Sequence, residues 1–150
     1  MVKFILGAKG TGKTKWLIDN ANRDIKEGNG NIAFIDVDDD HIFSLDYNVR
    51  LINAMEFNIL NIESFYGFLC GILGMDYDVE KIYVDGIYKV MDLKLEDIEY
   101  LLENLLTISA RFNTNFFINV EFSLDEVPEK LKRYCLELGT SIELETECAI

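Results

Sequence analysis

Val2-Lys3-Phe4-Ile5-Leu6 is a strand-forming run, and it leads straight into Gly7-Ala8-Lys9-Gly10-Thr11-Gly12-Lys13-Thr14. That stretch is a full match to G-x-x-x-x-G-K-[ST], which demands a strand, a tight glycine loop and the start of a helix in immediate succession. The helix follows as required: from Lys13 to about Lys26, Leu17, Ala21 and Ile25 recur at i, i+4 spacing on one face. The glycines let successive backbone N–H groups turn inward toward phosphate oxygens, and the helix start adds the positive end of its dipole. Gly7, Ala8, Lys9, Gly10, Thr11, Gly12, Lys13 and Thr14 are therefore the candidate phosphate-binding residues. In this arrangement Lys13 reaches the β and γ phosphates, and the Thr14 hydroxyl is a ligand for Mg²⁺.

The rest of the chain alternates between short apolar runs and helical patterns. Strands are expected at Ile32 to Val37, Val49 to Ala54, Lys81 to Asp85, Asn115 to Val120 and Ser141 to Leu144. Asn61 is placed to cap a helix with Phe65, Phe68, Leu69, Ile72 and Leu73 turned inward, and Gly67 and Gly71 on it would permit close packing. A long amphipathic helix carries Ile98, Leu101, Leu102, Leu105, Ile108 and Phe112, and Pro128 fits the first turn of a short helix through about Leu138. Ser123-Leu124-Asp125-Glu126 reads as a capping box for that last helix rather than a catalytic serine, since no histidine is free to serve as its base. Glu27-Gly28-Asn29-Gly30-Asn31 is a turn.

Continuous rather than alternating apolar runs specify strands buried on both faces, so the expectation is an α/β fold: a three-layer α/β/α sandwich with a mostly parallel central sheet. With no linker or repeat, residues 1–150 are expected to form one nucleotide-binding domain. Ligands of such sheets sit at the carboxyl ends of the strands. The glycine loop, Asp36, Asp85 and Glu121 all fall on that edge.

Composition narrows the partners. Fourteen Lys and Arg against 27 Asp and Glu leave a net charge of −13, so a nucleic-acid backbone would be repelled. Cys70, Cys135 and Cys148 are an odd number without a C-x-x-C pair, which points to a reducing compartment and away from a zinc cluster. Nothing approaches a transmembrane run or a signal peptide, so the chain is expected to be soluble and cytoplasmic.

Ile82-Tyr83-Val84-Asp85 is an apolar strand ending in a carboxylate, about seventy residues after the loop. Such an Asp is the usual second holder of Mg²⁺, through a water. With Gly7 to Thr14 as Walker A and Ile82 to Asp85 as Walker B, the whole chain resembles a P-loop NTPase of the additional-strand, RecA-like division. The resemblance implies a further strand between those two, for which Asn115 to Val120 is the candidate. The order of elements is also similar to the core of bacterial thymidine kinases and to small uncharacterised bacterial P-loop proteins often labelled as twitching-motility ATPases. The twitching motors themselves use an additional domain and further histidine and acidic segments, which this chain with its single His does not supply.

The resemblance implies ATP and Mg²⁺ as ligands, and a GTPase is disfavoured because no N-K-x-D motif is present. Many members carry a catalytic Glu directly after the Walker B Asp, where this chain has Gly86. The base would then come from a neighbouring strand end, with Asp36, Asp38 and Glu121 as candidates. The acidic run Asp36 to Asp40 otherwise reads as a solvated strand end and turn. In similar folds a polar residue near the end of the Asn115 to Val120 strand senses the γ phosphate, which draws attention to Asn119 and Glu121. His41 reads as a surface or turn residue, and Arg111, Lys132 and Arg133 as surface ion-pair residues.

The expectation is thus an ATP-binding protein with slow or partner-dependent hydrolysis. Its role would be regulatory or interaction-based, exercised on a protein partner or through self-association. The alternative is a nucleoside or small-metabolite kinase. Against that stand the absence of an Arg-rich lid, a four-cysteine zinc site and a lasso-like insertion. A relic that merely kept the loop would be marked by loss of Lys13 or Thr14, and both are present.

Overall fold

The apolar runs pair into one sheet in a computed structural model that describes residues 1–28 and 30–139. Its strands are β1 (Val2–Leu6), β2 (Asn31–Asp36), β3 (Arg50–Asn53), β4 (Val79–Val84), β5 (Asn115–Val120) and β6 (Cys135–Glu137). They lie in the order β3-β2-β4-β5-β1-β6, and every neighbouring pair is parallel. β5 lies between β1 and β4, where the additional strand was expected. Four helices connect the strands: α1 (Lys13–Glu27), α2 (Ile62–Met75), α3 (Leu95–Phe112) and the single-turn α4 (Glu129–Lys132).

Alternate residues of each strand serve opposite faces, so the sheet carries two cores. On one face Phe4, Leu6, Ile35, Val84 and Ile118 pack with Phe65, Leu69 and Leu73 of α2 and Leu101 and Leu105 of α3. On the other, Ile5, Phe34, Tyr83 and Phe117 pack against Leu17, Ile18 and Ala21 of α1. The fold is therefore the three-layer α/β/α sandwich. On the α1 face the Tyr83 ring stacks on Phe117 at 4.9 Å and on Phe34 at 6.3 Å, while Trp16 leans on Phe117 at 6.0 Å. The Tyr83 hydroxyl donates to Asp24, whose carboxylate also pairs with Lys81 at 2.9 Å. Burial, reinforced by that bond, pushes the Tyr83 phenol far above its usual range.

The helix ends follow side-chain chemistry. The Asn61 carboxamide oxygen accepts from the Ser64 N–H at 2.8 Å and the Asn61 N–H donates to the Ser64 hydroxyl at 3.2 Å, a reciprocal box at the start of α2. α3 stops at Asn113, which takes the left-handed conformation at φ 56°.

Three local expectations change. The helix expected from Pro128 to about Leu138 stops at Lys132, and Cys135–Glu137 becomes β6. The open edge of β1 explains this: the Phe4 N–H donates to the Tyr134 carbonyl at 2.7 Å and the Leu138 N–H to the Leu6 carbonyl at 2.9 Å. Pairing the edge satisfies backbone groups that a longer helix would have left exposed. The Ser123–Glu126 box is present, with the Ser123 N–H 3.1 Å from the Glu126 carboxylate, but it closes a 3₁₀ turn at Leu124–Glu126 rather than capping α4. Gly67 and Gly71 face open space, so they do not mediate close packing. The strand expected at Ser141 to Leu144, the thiol of Cys148 and turn residue Asn29 lie outside the described residues. Among the described residues no helix is long and apolar enough to cross a membrane.

Candidate functional site

β1 delivers the chain to the carboxyl edge of the sheet, and the loop from Gly7 to Gly12 turns there before α1 begins. Gly10 and Gly12 sit at φ 86° and 89°, which L side chains avoid, and the space beside each is otherwise open. Conformation, not crowding, requires glycine at those positions. At Gly7 both act, since φ is 151° and a Cβ would lie 2.4 Å from the Thr11 hydroxyl oxygen. No side chain caps α1, which leaves its first N–H groups to the loop region and to whatever occupies it.

Lys13 is 5% exposed and folds back over the loop, its amine donating to the Gly7 carbonyl at 2.7 Å and the Ala8 carbonyl at 3.0 Å. Burial holds this amine below the usual lysine range; Glu121 and Asp85 oppose the shift and Lys89 adds to it. A cleft of about 370 Å³ opens between the loop, Lys13 and Thr14 on one side and Tyr88, Lys89 and Glu121 on the other. Hollows of 390 and 440 Å³ elsewhere are as large, so the converging cations rather than volume distinguish this one. Lys9, Lys13 and Lys89 meet here on a protein of net charge −13. Burial, with the charges of Asp85 and Glu121, pushes the Tyr88 phenol up to about 12.

Thr14 and Asp85, 71 residues apart, meet across the edge: the hydroxyl lies 3.0 and 3.1 Å from the two carboxylate oxygens. Asp85 is 1% exposed. Asn119, wholly buried near the end of β5, donates to Asp85 through its amide nitrogen and accepts from the Gly86 N–H at 2.9 Å through its oxygen. Gly86 has φ 85°, with Val37 3.0 Å from where a Cβ would stand. A glutamate at that position would face both strain and contact.

Asp36 and Glu121, two of the three candidate bases, occupy different surroundings. Glu121 is exposed and lines the cleft opposite the loop. Asp36 is 1% exposed and fully engaged: one oxygen accepts from the Val37 N–H at 2.8 Å and the other lies 2.9 Å from Nδ1 of His41. Burial pushes Asp36 above the usual carboxylate range against the pull of its two hydrogen bonds. For His41 burial acts to lower, but the bond and charge of Asp36, with Asp85 and Asp38 behind it, leave the imidazole above its usual range. Asp39 and Asp40 are exposed, as expected of a solvated turn, while Asp38 is half-buried.

Sequence reasoning missed two residues here. His41 was given no chemical part, yet it is the partner of Asp36; Lys89 was passed over, yet it faces Lys13 across the cleft. The separation of five residues between Asp36 and His41 follows no ligand-spacing rule, and Lys89 lies on a short 3₁₀ turn without a motif. Of the basic residues set aside as ion-pair formers, Lys132 does pair with Glu129 at 3.2 Å, and Arg133 lies over the Tyr134 ring at 5.0 Å. No protein-family model matches the chain, and no curated protein matches it significantly.

Proposed function

We propose that the chain is an ATP-binding protein of the P-loop NTPase class, acting in the cytoplasm with Mg²⁺. On this reading it hydrolyses ATP slowly unless a partner or a second copy assists, and nucleotide state adjusts its contacts with that partner. One observation carries the reading: the loop's Thr14, past the end of β1, and Asp85, at the end of β4, converge to 3.0 Å across the intervening β5. These hard oxygen donors fit Mg²⁺.

The chain's own residues supply the following steps. Lys13 exchanges its two loop carbonyls for phosphate oxygens. Thr14 and Asp85 are the residues that would hold Mg²⁺, which would supply neutralisation of phosphate charge when bound. Asn119 keeps Asp85 oriented. Glu121, on the cleft wall, is better situated than Asp36 to polarise a water, because both Asp36 oxygens are already committed. No arginine lines the cleft among the described residues. Where an arginine finger operates it contributes about 10³–10⁵ in turnover, so slow intrinsic hydrolysis follows from its absence.

Trp16 lies two residues past Thr14 on α1 and reports on the loop. Its fluorescence is to be titrated with Mg-ATP, Mg-ADP and Mg-GTP, with isothermal calorimetry alongside. Saturable binding of ATP that Lys13→Ala abolishes supports the reading. No binding in either assay refutes it, and turnover of several per second by the isolated protein refutes the slow-hydrolysis part.

A further inference from the structure

The carboxyl ends of β2 and β4 set two carboxylates beside each other. Ile35 and Val84 are register partners, Asp36 and Asp85 follow them, and each Asp is 1% exposed. Buried anions are ordinarily paired with cations or ligate metals. Among the described residues neither Asp36 nor Asp85 has an ion pair with Lys or Arg. Asp85 takes neutral donors, Thr14 and Asn119, and the one ionisable partner of Asp36 is His41.

One oxygen from each carboxylate and one ring nitrogen of His41 lie within 4.8 Å of one another. Nδ1 of His41 is 2.9 Å from Asp36 and 3.9 Å from the Asp38 carboxylate. Ligands about 2.1 Å from a common ion are about 3 Å apart when adjacent and about 4.2 Å apart when opposite. The His41–Asp36 edge thus already has the span of adjacent ligands. The turn that carries His41 is itself tied to α1, with Asn22 donating to the Ser44 carbonyl at 2.9 Å and accepting from the Asp46 N–H at 2.8 Å.

We propose that Asp36, His41 and Asp85 form a site for a divalent first-row transition ion, occupied without nucleotide and with Asp38 at its outer side. A set of one imidazole and two carboxylates suits Mn²⁺, Fe²⁺, Co²⁺ or Zn²⁺ and discriminates against Mg²⁺ and Ca²⁺, which prefer oxygen alone. Its donor chemistry therefore separates it from the Thr14–Asp85 position, although Asp85 borders both. The ion compensates the two buried charges and fixes the turn over the strand ends.

The test uses chelator-treated, nucleotide-free protein titrated with Mn²⁺ and with Co²⁺. Free Mn²⁺ is followed by paramagnetic resonance and bound Co²⁺ by its visible absorption. Saturation at one ion per chain is expected, with imidazole-nitrogen modulation in the spin echo of bound Mn²⁺. His41→Gln retains a polar side chain at the position, and circular dichroism checks that it folds. It should weaken both ions by about 100-fold or more, since even outer-shell changes cost 10–100-fold. The titration is made without nucleotide, so the result is independent of whether the loop takes one. Absence of saturable binding, absence of nitrogen modulation, or equal binding by folded His41→Gln overturns the proposal. The last outcome would mark diffuse attraction of cations to an acidic chain.

Discussion

Asn119 ties the end of β4 in place, bonding Asp85 with one end of its amide and the Gly86 N–H with the other. Asn119→Ala leaves that N–H without its partner in a fully buried setting, and stability should fall by about 1–3 kcal/mol in urea unfolding. Cys135 offers a pH readout at the same scale, because burial pushes its thiol up to about 11 while Lys3 pulls weakly the other way. A raised thiol pKa means less thiolate at every pH below it, so alkylation of Cys135 in the folded protein, followed by peptide mass spectrometry, should stay slow at pH 8 and accelerate toward pH 11. A substantial alkylation rate at neutral pH would contradict this. Legibility at this scale divides by whether the signal is local. Lys13 and Thr14 announce themselves through spacing, and Asp85 through the strand before it. Asn119 drew attention as a candidate phosphate sensor, while its bond to the carboxylate of Asp85 had no local signal. His41 and Lys89 had no local signal, because a turn and a 3₁₀ segment carry them to the site.

Among the elements, α2 gives the clearest test. Gly67 and Gly71 lie inside an exposed helix face where an added Cβ meets nothing within 4 Å. Gly67→Ala and Gly71→Ala should each stabilise by about 0.5–1 kcal/mol, read as a raised urea midpoint. Loss of stability would restore the close-packing role expected from sequence. The spacing itself held the answer: two residues past Phe65 or Leu69 is about 200° around a helix, opposite the buried stripe. β1, β2, β4 and β5 were legible because each holds an unbroken apolar stretch, residues 4–6, 32–35, 82–84 and 116–118. The segment after Pro128 was not, since whether Cys135–Glu137 coils or extends depends on the vacant edge of β1, and nothing within a dozen residues encodes that edge.

At the scale of the molecule, three lysines converge on one cleft of a protein whose net charge is −13. A bound anion there should stabilise the whole fold. At Mg-ATP a hundredfold above its dissociation constant, linkage adds about 2.7 kcal/mol, which raises the melting temperature by roughly 5–10 °C for a domain of this size. Differential scanning fluorimetry should register the rise in the parent chain and none in Lys13→Ala; an equal rise in both would place the ligand elsewhere. The contacts that build the cleft edge also have a long reach along the chain. Thr14 meets Asp85 across 71 residues, and Asp85 meets Asn119 across 34 more. Every one of these loops must close before the edge exists, and closure of loops this long comes late in the assembly of a parallel sheet. A chain emerging from the ribosome, or one truncated before Asn115, has the glycine loop without its counterpart. Ligand cannot seed such an intermediate; it can reward only the finished sheet, so occupancy would serve as a report that folding is complete.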